Sequence, residues 1–174
     1  MKTSTLETLI DKDKINDLLH NYMNGLDACN WEQVAALFTK PFHLQATLID
    51  VDIDREVQPE EYLSLAPQRV LPGFDFTAHL CKNTTITLDG TEAYLKTKLL
   101  DSCHHIKADG SAIRTDQLSA SDGTSYCTLH ISWEGWLTRQ EDGRWLIRKV
   151  RMSESAVEGN ITVFDKAMAR ASGD

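Results

Sequence analysis

The chain changes its hydrophobic periodicity once. Before residue 74 apolar residues recur every three or four positions, and after it they alternate every second position between turn signals. The first spacing is typical of amphipathic helices and the second of strands with one buried face. Helices followed by strands is the order of an α+β fold, in which helices pack on one face of an antiparallel sheet. We therefore expect three N-terminal helices packed on a strongly bent, antiparallel or mixed sheet that forms a cone-shaped barrel.

Local signals place the three predicted helices. Residues 11–27 carry one apolar stripe, which predicts the first helix. Asn30, with Gln33 three residues later, resembles a capping box and begins a second helix, which Pro41 ends. Residues 43–51 alternate loosely and are predicted to be a strand. Pro59 and two following acidic residues open the third helix.

The second part of the chain is predicted to be strands and turns. Asp89-Gly90 and Asp142-Gly143 are typical of hairpin turns. The alternating stretches around these turns predict strands at residues 77–83, 84–88, 93–105, 125–139 and 144–153.

Three further segments complete the expected organisation of a single domain over residues 1–174. Residues 1–10 are expected to be a flexible N-terminus. Residues 107–124 are rich in Ser, Ala and Thr and are interpreted as a long hairpin loop, either a lid or a disordered segment. Residues 154–174 are expected to form a C-terminal tail, either a helix or an extended arm.

Composition limits the partners that we expect. The formal charge of −8 leaves no basic stripe for phosphates, so a nucleic-acid partner is not expected. No stretch reaches the roughly 18 apolar residues of a membrane span, and we expect no membrane association and a cytoplasmic location. A small neutral or weakly polar molecule is the expected partner. The widely spaced cysteines indicate neither a zinc site nor a redox motif, and they are Cys29, Cys81, Cys103 and Cys127.

Two polar residues are placed where such a fold would form a cavity. His79 lies in a run of strand formers, and Asp27 ends the apolar stripe of the first helix. If their side chains meet, they form an Asp-oriented imidazole that can take a proton near neutral pH. The alternative is a strand histidine bonded to a backbone carbonyl and a helix-end carboxylate in water.

Residues 26–38, which include Asp27 and Trp31, resemble the Asp-x-x-(Asp/Asn)-Trp helix junction of the SnoaL-like members of the nuclear transport factor 2-like superfamily. Residues 58–62, 77–80 and 136–145 are similar to the scytalone dehydratase branch of that superfamily. The similarity spans residues from about 15 to about 164. It implies a single SnoaL-like domain that assembles as a homo-oligomer, either a dimer or a trimer.

The resemblance also implies catalytic roles for four residues. An Asp on the first helix and a His on the following strand act as a pair, and a second His on the next strand completes the acid–base set. These roles fall on Asp27, His79 and His104, and His105 replaces His104 if the strand register differs by one residue. Tyr22 resembles the tyrosine that partners this pair in related bacterial dehydratases. No cofactor and no metal are expected, although two histidines and a carboxylate could also form a metal site.

The expected activity is that of a cofactor-independent lyase of secondary metabolism. Neutral His79 would take a proton alpha to a carbonyl of an aromatic or polyketide-like substrate, Asp27 would orient the ring, and a beta-hydroxyl would leave as water. Alternatives are a polyketide cyclase or isomerase with the same pair, hydrogen-halide elimination, and a non-catalytic binding or assembly module whose Asp and His do not meet. The aromatic residues expected to line the cavity are Trp31, Phe38, Phe42, Phe74, Phe76, Trp133 and Trp136.

Overall fold

A six-stranded mixed sheet in the order β2-β1-β6-β5-β4-β3 is the central layer of the molecule. The computed structural model describes residues 5–48, 51–104 and 126–173, and for residues 102–104 it describes the backbone alone. The strands are β1 Phe38–Leu48, β2 Val51–Val57, β3 Phe76–Asp89, β4 Glu92–His104, β5 Tyr126–Arg139 and β6 Trp145–Gly159. Neighbouring strands are antiparallel except for the parallel pair β1 and β6.

Helical segments cover one face of the sheet. They are α1 Thr5–Asp27, α2 Trp31–Ala35, α3 Pro59–Leu65, α4 Pro67–Val70, a 3-10 turn at Leu71–Gly73, and α5 Val163–Ser172. The apolar stripe of α1 is buried against the inner face of the sheet, where every second residue of β5 points inward. The buried stripe consists of Ile15, Leu18, Leu19, Tyr22, Met23 and Leu26. The predicted α+β class, with helices packed on a bent mixed sheet, is therefore confirmed.

The sheet does not close into the barrel that the sequence predicted. Within the described residues, β2 and β3 are the two edge strands and do not pair with each other. The edge strand β3 instead contacts α1. The open edge of the sheet thus lies next to the C-terminal end of α1, where Asp27 is located.

α1 ends at Asp27 because the next residues form a Schellman-type cap. Cys29 adopts the left-handed conformation (φ 51°). Its N–H donates to the carbonyl of Leu26 at 3.0 Å, and the N–H of Asn30 donates to the carbonyl of Gly25 at 2.8 Å. A Cβ on Gly25 would lie 2.6 Å from the Val34 side chain, so this glycine allows α2 to pack closely on α1.

Several predicted boundaries are wrong. α1 begins at Thr5, so residues 5–10 belong to the helix rather than to a flexible terminus. Asp11, the predicted helix start, is buried and accepts a hydrogen bond from the indole N–H of Trp145 at 3.3 Å. Pro41 does not follow a helix but lies inside β1, at the register shift where β1 and β6 lose their regular pairing. A proline is tolerated at such an irregularity because no ladder hydrogen bond needs its missing N–H.

The later strands are longer than predicted. The two strands predicted at residues 77–88 are one strand, β3, with a register irregularity beside Asn83, which has a positive φ of 55°. β2 was not predicted, although Val51, Ile53 and Val57 alternate with polar residues as in a strand. β6 continues to Gly159, so the predicted tail is strand first and helix α5 afterwards. The predicted loop at residues 107–124 lies outside the described residues.

α5 packs on the 3-10 turn that precedes β3. Val163 and Ala167 are fully buried, and the rings of Phe74 and Phe164 meet edge to face at 5.4 Å between centroids. A Cβ on Gly73 would lie 1.9 Å from the carbonyl oxygen of Ala167, so only glycine permits this approach. Within the described part of the chain, no helix is both long enough and apolar enough to cross a membrane.

Candidate active site

Asp27 and His79 meet at the open edge of the sheet. The ring Nδ1–H of His79 donates to Asp27 Oδ1 at 2.6 Å, and its backbone N–H donates to Asp27 Oδ2 at 3.1 Å. The hydroxyl of Thr77 donates to Asp27 Oδ1 at 2.9 Å. Three donors from one strand therefore hold the carboxylate at the end of α1, and the carboxylate in turn fixes the orientation of the imidazole.

A second carboxylate faces the other nitrogen of the same ring. Asp101 is the cross-strand neighbour of His79 on β4, and its Oδ1 lies 3.4 Å from His79 Nε2. The His79 side chain is only 7% exposed and the Asp101 side chain 13%. The imidazole therefore lies between two carboxylates in a mostly buried position.

This arrangement holds a positive charge on His79. Burial alone would lower the pKa of the imidazole, but the charges and hydrogen bonds of Asp101 and Asp27 outweigh burial and raise the pKa to about 10. The ring therefore carries a proton on each nitrogen at neutral pH. The sequence predicts one carboxylate partner for a neutral, reacting imidazole, and the second carboxylate favours the protonated ring instead.

The pKa of Asp27 moves in the opposite direction. Burial raises the pKa of this carboxyl group, but the hydrogen bonds and charge of His79, with the Thr77 hydroxyl, hold it below its usual value. Asp27 is therefore ionised at neutral pH. It can accept hydrogen bonds and stabilise the imidazolium, and it does not supply a proton.

Tyr22 lies one turn and a fraction before Asp27 on α1 and is paired with a second tyrosine. Its hydroxyl shares a hydrogen bond with that of Tyr62 on α3. Burial, with the neighbouring Tyr62 and Asp101, raises the pKa of Tyr22 well above its usual value, and burial also raises the pKa of Tyr62 to about 12. Both hydroxyls are therefore neutral near pH 7. Because one hydroxyl donates to the other, one proton of the pair is left for a third group.

The aromatic residues predicted to line the cavity do not lie together in the structure. Phe38, Phe42 and Trp133 pack around the tyrosine pair, with Trp133 and Tyr22 at 5.9 Å between ring centroids. Trp136 lies on the opposite face of the sheet, beneath Lys149. The remaining three are Trp31 at the α2 surface, Phe74 against α5, and Phe76, which is 54% exposed.

The second predicted histidine lies outside the described side chains. His104 is the last residue of β4, but its side chain lies outside the described part, and His105 lies outside it entirely. The role of either residue in the acid–base set stays a prediction. No three His, Cys, Asp or Glu side chains gather as a metal site within the described residues.

A separate cleft of about 360 Å³ lies on the helical side of the molecule. Trp31, Leu63 and the exposed ion pair of Lys40 with Glu60 are among the residues that line it. None of the candidate acid–base residues lines this cleft.

Two residues of this cluster were not predicted. Asp101 has the same strand parity as Leu95 and Leu99, which are buried, and this alternation could have identified an inward-facing carboxylate. Tyr62 is a buried aromatic residue in an otherwise acidic helix start. The sequence shows this contrast, but it does not show that Tyr62 pairs with Tyr22 on α1.

Comparison with known proteins identifies similar sequences and structures. The sequence profile of the SnoaL-like domain matches residues 7–151. Comparison with curated protein sequences gives no match.

Three solved structures illustrate the shared fold. The Kfla4162 protein from Kribbella flavida has a TM-score of 0.69 at 16% identity, over 94% of this chain and 99% of that protein. A candidate scytalone dehydratase from Novosphingobium aromaticivorans has a TM-score of 0.64 at 16% identity, over 88% and 89%. The hexachlorocyclohexane dehydrochlorinase LinA-type3 from Novosphingobium barchaimii has a TM-score of 0.68 at 15% identity, over 91% and 95%. At these identities the likeness shows the fold alone.

Proposed function

Because the chain belongs to the SnoaL-like domain family of the nuclear transport factor 2-like superfamily, we propose that it is a cofactor-independent dehydratase. In this proposal the Asp27–His79 pair moves a proton while a small carbonyl compound loses water. Among the structural neighbours that carry enzyme names, a candidate scytalone dehydratase and a dehydrochlorinase are named for reactions that eliminate a small molecule, whereas another is named a candidate aromatic ring hydroxylase. Elimination is therefore the reaction class that we assign to the site.

The observation that carries this proposal is the contact between Asp27 and His79. The 2.6 Å hydrogen bond joins an ionised carboxylate to an imidazole that is 7% exposed. A non-catalytic binding module was expected to keep the two side chains apart, so their contact favours an enzyme. Such an oriented acid–base group contributes on the order of 10²–10⁴ to a reaction rate.

The protonated state of His79 favours the loss of water over the loss of a halide. Hydroxide is a poor leaving group and needs a proton as its carbon–oxygen bond breaks, and an imidazolium supplies that proton. A halide leaves as a stable anion and gains little from a proton donor. Since two carboxylates keep His79 charged, dehydration is the reaction that uses this site fully.

The proposed substrate class is an aromatic or polyketide-like compound with a ketone and a beta-hydroxyl group. Support comes from the aromatic side chains around Tyr22 and from the two tyrosine hydroxyls, which can donate to a carbonyl oxygen. With a differently shaped substrate, the same proton chemistry would close a ring or shift a double bond. Cyclase and isomerase activities therefore remain alternatives with the same residues.

The direct test is elimination of water from a panel of aromatic beta-hydroxy ketones, measured by the absorbance of the conjugated enone. We expect the wild-type protein to form enone, and His79→Gln and Asp27→Asn to lower kcat/KM by about 10² or more. Circular dichroism and thermal unfolding would establish that both variants are folded.

The matched control is an exposed pair of the same chemistry. His43 Nε2 lies 2.7 Å from Asp54 Oδ1 at the β1–β2 edge of the sheet. We expect His43→Gln and Asp54→Asn to keep the wild-type rate. Wild-type rates in folded His79→Gln would end the proposal, as would a wild-type protein that converts no member of the panel.

A further inference from the structure

The carboxylate of Asp101 lies at a position whose neighbours are buried leucines, where a leucine would avoid the desolvation cost of a buried charge. It lies on the inner face of β4, two residues after Leu99, and its cross-strand neighbour on β5 is Leu129; both leucines are buried. A carboxylate in such an apolar wall loses hydration and has to be compensated by a partner. Among its partners is His79, whose Nε2 lies 3.4 Å from the Asp101 carboxylate.

His79 does not need this second carboxylate for its orientation. Asp27 already binds both the ring and the backbone N–H of His79. The contact of Nε2 with Asp101, at 3.4 Å, is longer than an ideal hydrogen bond, whereas the contact of Nδ1 with Asp27 is 2.6 Å. The looser of the two contacts is the one into which a substrate oxygen can insert.

The protonation of His79 leaves the proposed dehydration without a proton acceptor. A ring with both nitrogens directed at carboxylates carries a proton on each, so it can donate a proton but cannot receive one. The carboxylate of Asp27 is occupied by three donors from β3. Asp101 is the carboxylate beside the nitrogen that faces away from Asp27.

We infer that Asp101 is a catalytic residue that accepts the alpha proton of the substrate, and that His79 donates a proton to the departing hydroxyl. This inference rests on the proposed dehydratase function and divides its acid and base roles between two side chains. It differs from a mechanism in which the histidine alone takes the alpha proton.

The step balances without any outside reactant. The Asp101 carboxylate removes the alpha proton, and the electrons of the carbon–hydrogen bond form the enolate and then the new carbon–carbon double bond. The carbon–oxygen bond at the beta carbon breaks, and the Nε2 proton of His79 joins the hydroxyl to form water. Asp101 is then a carboxylic acid and His79 a neutral imidazole.

The contact between the two side chains also resets the site. After the products leave, the proton on Asp101 passes to His79 Nε2 across the same 3.4 Å gap that joins them at rest. No proton from bulk water is needed for the next cycle. A side chain that served only to balance the charge of His79 would not take part in this return.

Two substrates with different leaving groups distinguish the residue that donates a proton from the residue that accepts one. A beta-hydroxy ketone needs both a proton acceptor and a proton donor, whereas its beta-acetoxy analogue loses acetate, which leaves without a proton. We expect Asp101→Asn to lower kcat/KM by about 10² or more for both substrates. We expect His79→Gln to lower it by about 10² for the hydroxy compound and by less than about tenfold for the acetoxy compound.

Two further variants complete the experiment. Asp54→Asn alters the exposed Asp–His pair and is expected to keep the wild-type rate on both substrates. Asp101→Ala with added formate is expected to recover part of the acetoxy elimination, because formate can occupy the space of the missing carboxylate. It also serves as the second readout if Asp101→Asn does not fold.

The outcomes are distinguishable. A folded Asp101→Asn with a wild-type rate on the acetoxy compound would overturn the role of Asp101 while leaving the dehydratase function in place. A larger loss in His79→Gln than in Asp101→Asn on that compound would assign the base to His79 and overturn the inference. A wild-type protein that eliminates neither water nor acetate would overturn the proposed function itself.

Discussion

At the scale of single residues, the site is a line of alternating charges. The carboxylate of Asp27, the imidazolium of His79 and the carboxylate of Asp101 follow one another within hydrogen-bond or ion-pair distance. The net charge of these three groups is one negative charge, and the neutral hydroxyls of Tyr22 and Tyr62 lie near them. A neutral carbonyl compound fits this site better than an anion does, because the carboxylate of Asp101 would repel an anion.

The tyrosine pair leads to a prediction at this scale. If Tyr22 and Tyr62 share one proton donor for the carbonyl oxygen, Tyr22→Phe and Tyr62→Phe should each lower kcat by about 10². The double variant should be no worse than either single variant, because the two hydroxyls act as a unit. Steady-state kinetics on the beta-hydroxy ketone would measure this.

Tyr94→Phe is the control for the loss of a phenolic hydroxyl. Tyr94 packs against Trp136 on the outer face of the sheet, at 5.3 Å between ring centroids. We expect the wild-type kcat in this variant. An unchanged kcat in Tyr22→Phe, or losses that multiply in the double variant, would contradict the shared donor.

At the scale of secondary structure elements, the end of α1 and the edge strand β3 decide where the acid–base group forms. The cap at Cys29 ends the helix one turn after Met23, and Thr77 and His79 on β3 receive the carboxylate that the helix presents. The 3-10 turn on which α5 packs lies directly before β3. Because Gly73 lies only six residues before His79, a change in packing at Gly73 can shift the strand that carries His79.

Gly73→Ala should loosen α5. The added methyl group would overlap the backbone of Ala167, which cannot move as a flexible side chain would. Overpacking of this kind costs about 1–3 kcal/mol. Relative to the wild type, we expect a lower Tm and an increase in hydrogen exchange that is larger in Val163–Ser172 than in the strands.

Gly90→Ala separates local backbone strain from the loss of helix packing. Gly90 has a φ of 63° and open space around its Cα. An alanine there costs about 1–2 kcal/mol from the left-handed backbone and should leave the exchange of α5 unchanged. Equal exchange rates for α5 in the wild type and Gly73→Ala would show that this packing is not close.

At the scale of the whole molecule, the bent sheet has two chemically different faces. The inner face buries the core against α1 and holds Asp101 and His79, whereas the outer face carries Trp136 between Lys149 and Arg151, each 5.2 Å from the ring. The expected homo-oligomer, a dimer or a trimer, stays a prediction.

The raised pKa of His79 links the stability of the whole chain to pH. In the unfolded chain the imidazole pKa is about 6.5, and in the folded protein it is about 10. The stabilisation from the charged ring is therefore fully present below pH 6.5 and is lost as the pH rises through about 10. Between these values, this group lowers the free energy of unfolding by at most about 1.4 kcal/mol per pH unit.

Urea unfolding of the wild type and His79→Gln at several pH values would measure this link. Other groups titrate in both proteins, so the difference between their free energies of unfolding isolates His79. We expect the advantage of the wild type to shrink as the pH rises from 7 towards 10. A difference that stays constant over this range would show that the folded ring is not held in its charged form.

The sequence alone was sufficient for features that depend on neighbours in the chain. The N-cap at Asn30, the start of α3 at Pro59 and the two Asp-Gly hairpin turns are confirmed, whereas the backbone N–H of Asn30 donates to Gly25 and not to the Gln33 side chain of a full capping box. Each depends on hydrogen bonds or dihedral angles within a few residues. Boundaries that depend on distant packing, such as β1 running through Pro41, were not predictable in this way.

The charge of the central histidine was decided by the tertiary structure. The sequence placed His79 on a strand and Asp27 at a helix end, but Asp101 lies on another strand and becomes a partner through the register of β3 and β4. One carboxylate orients an imidazole, whereas a second carboxylate at the opposite nitrogen keeps it protonated. Alternation along a strand shows which face a residue occupies, and only the pairing of strands shows which charge it meets there.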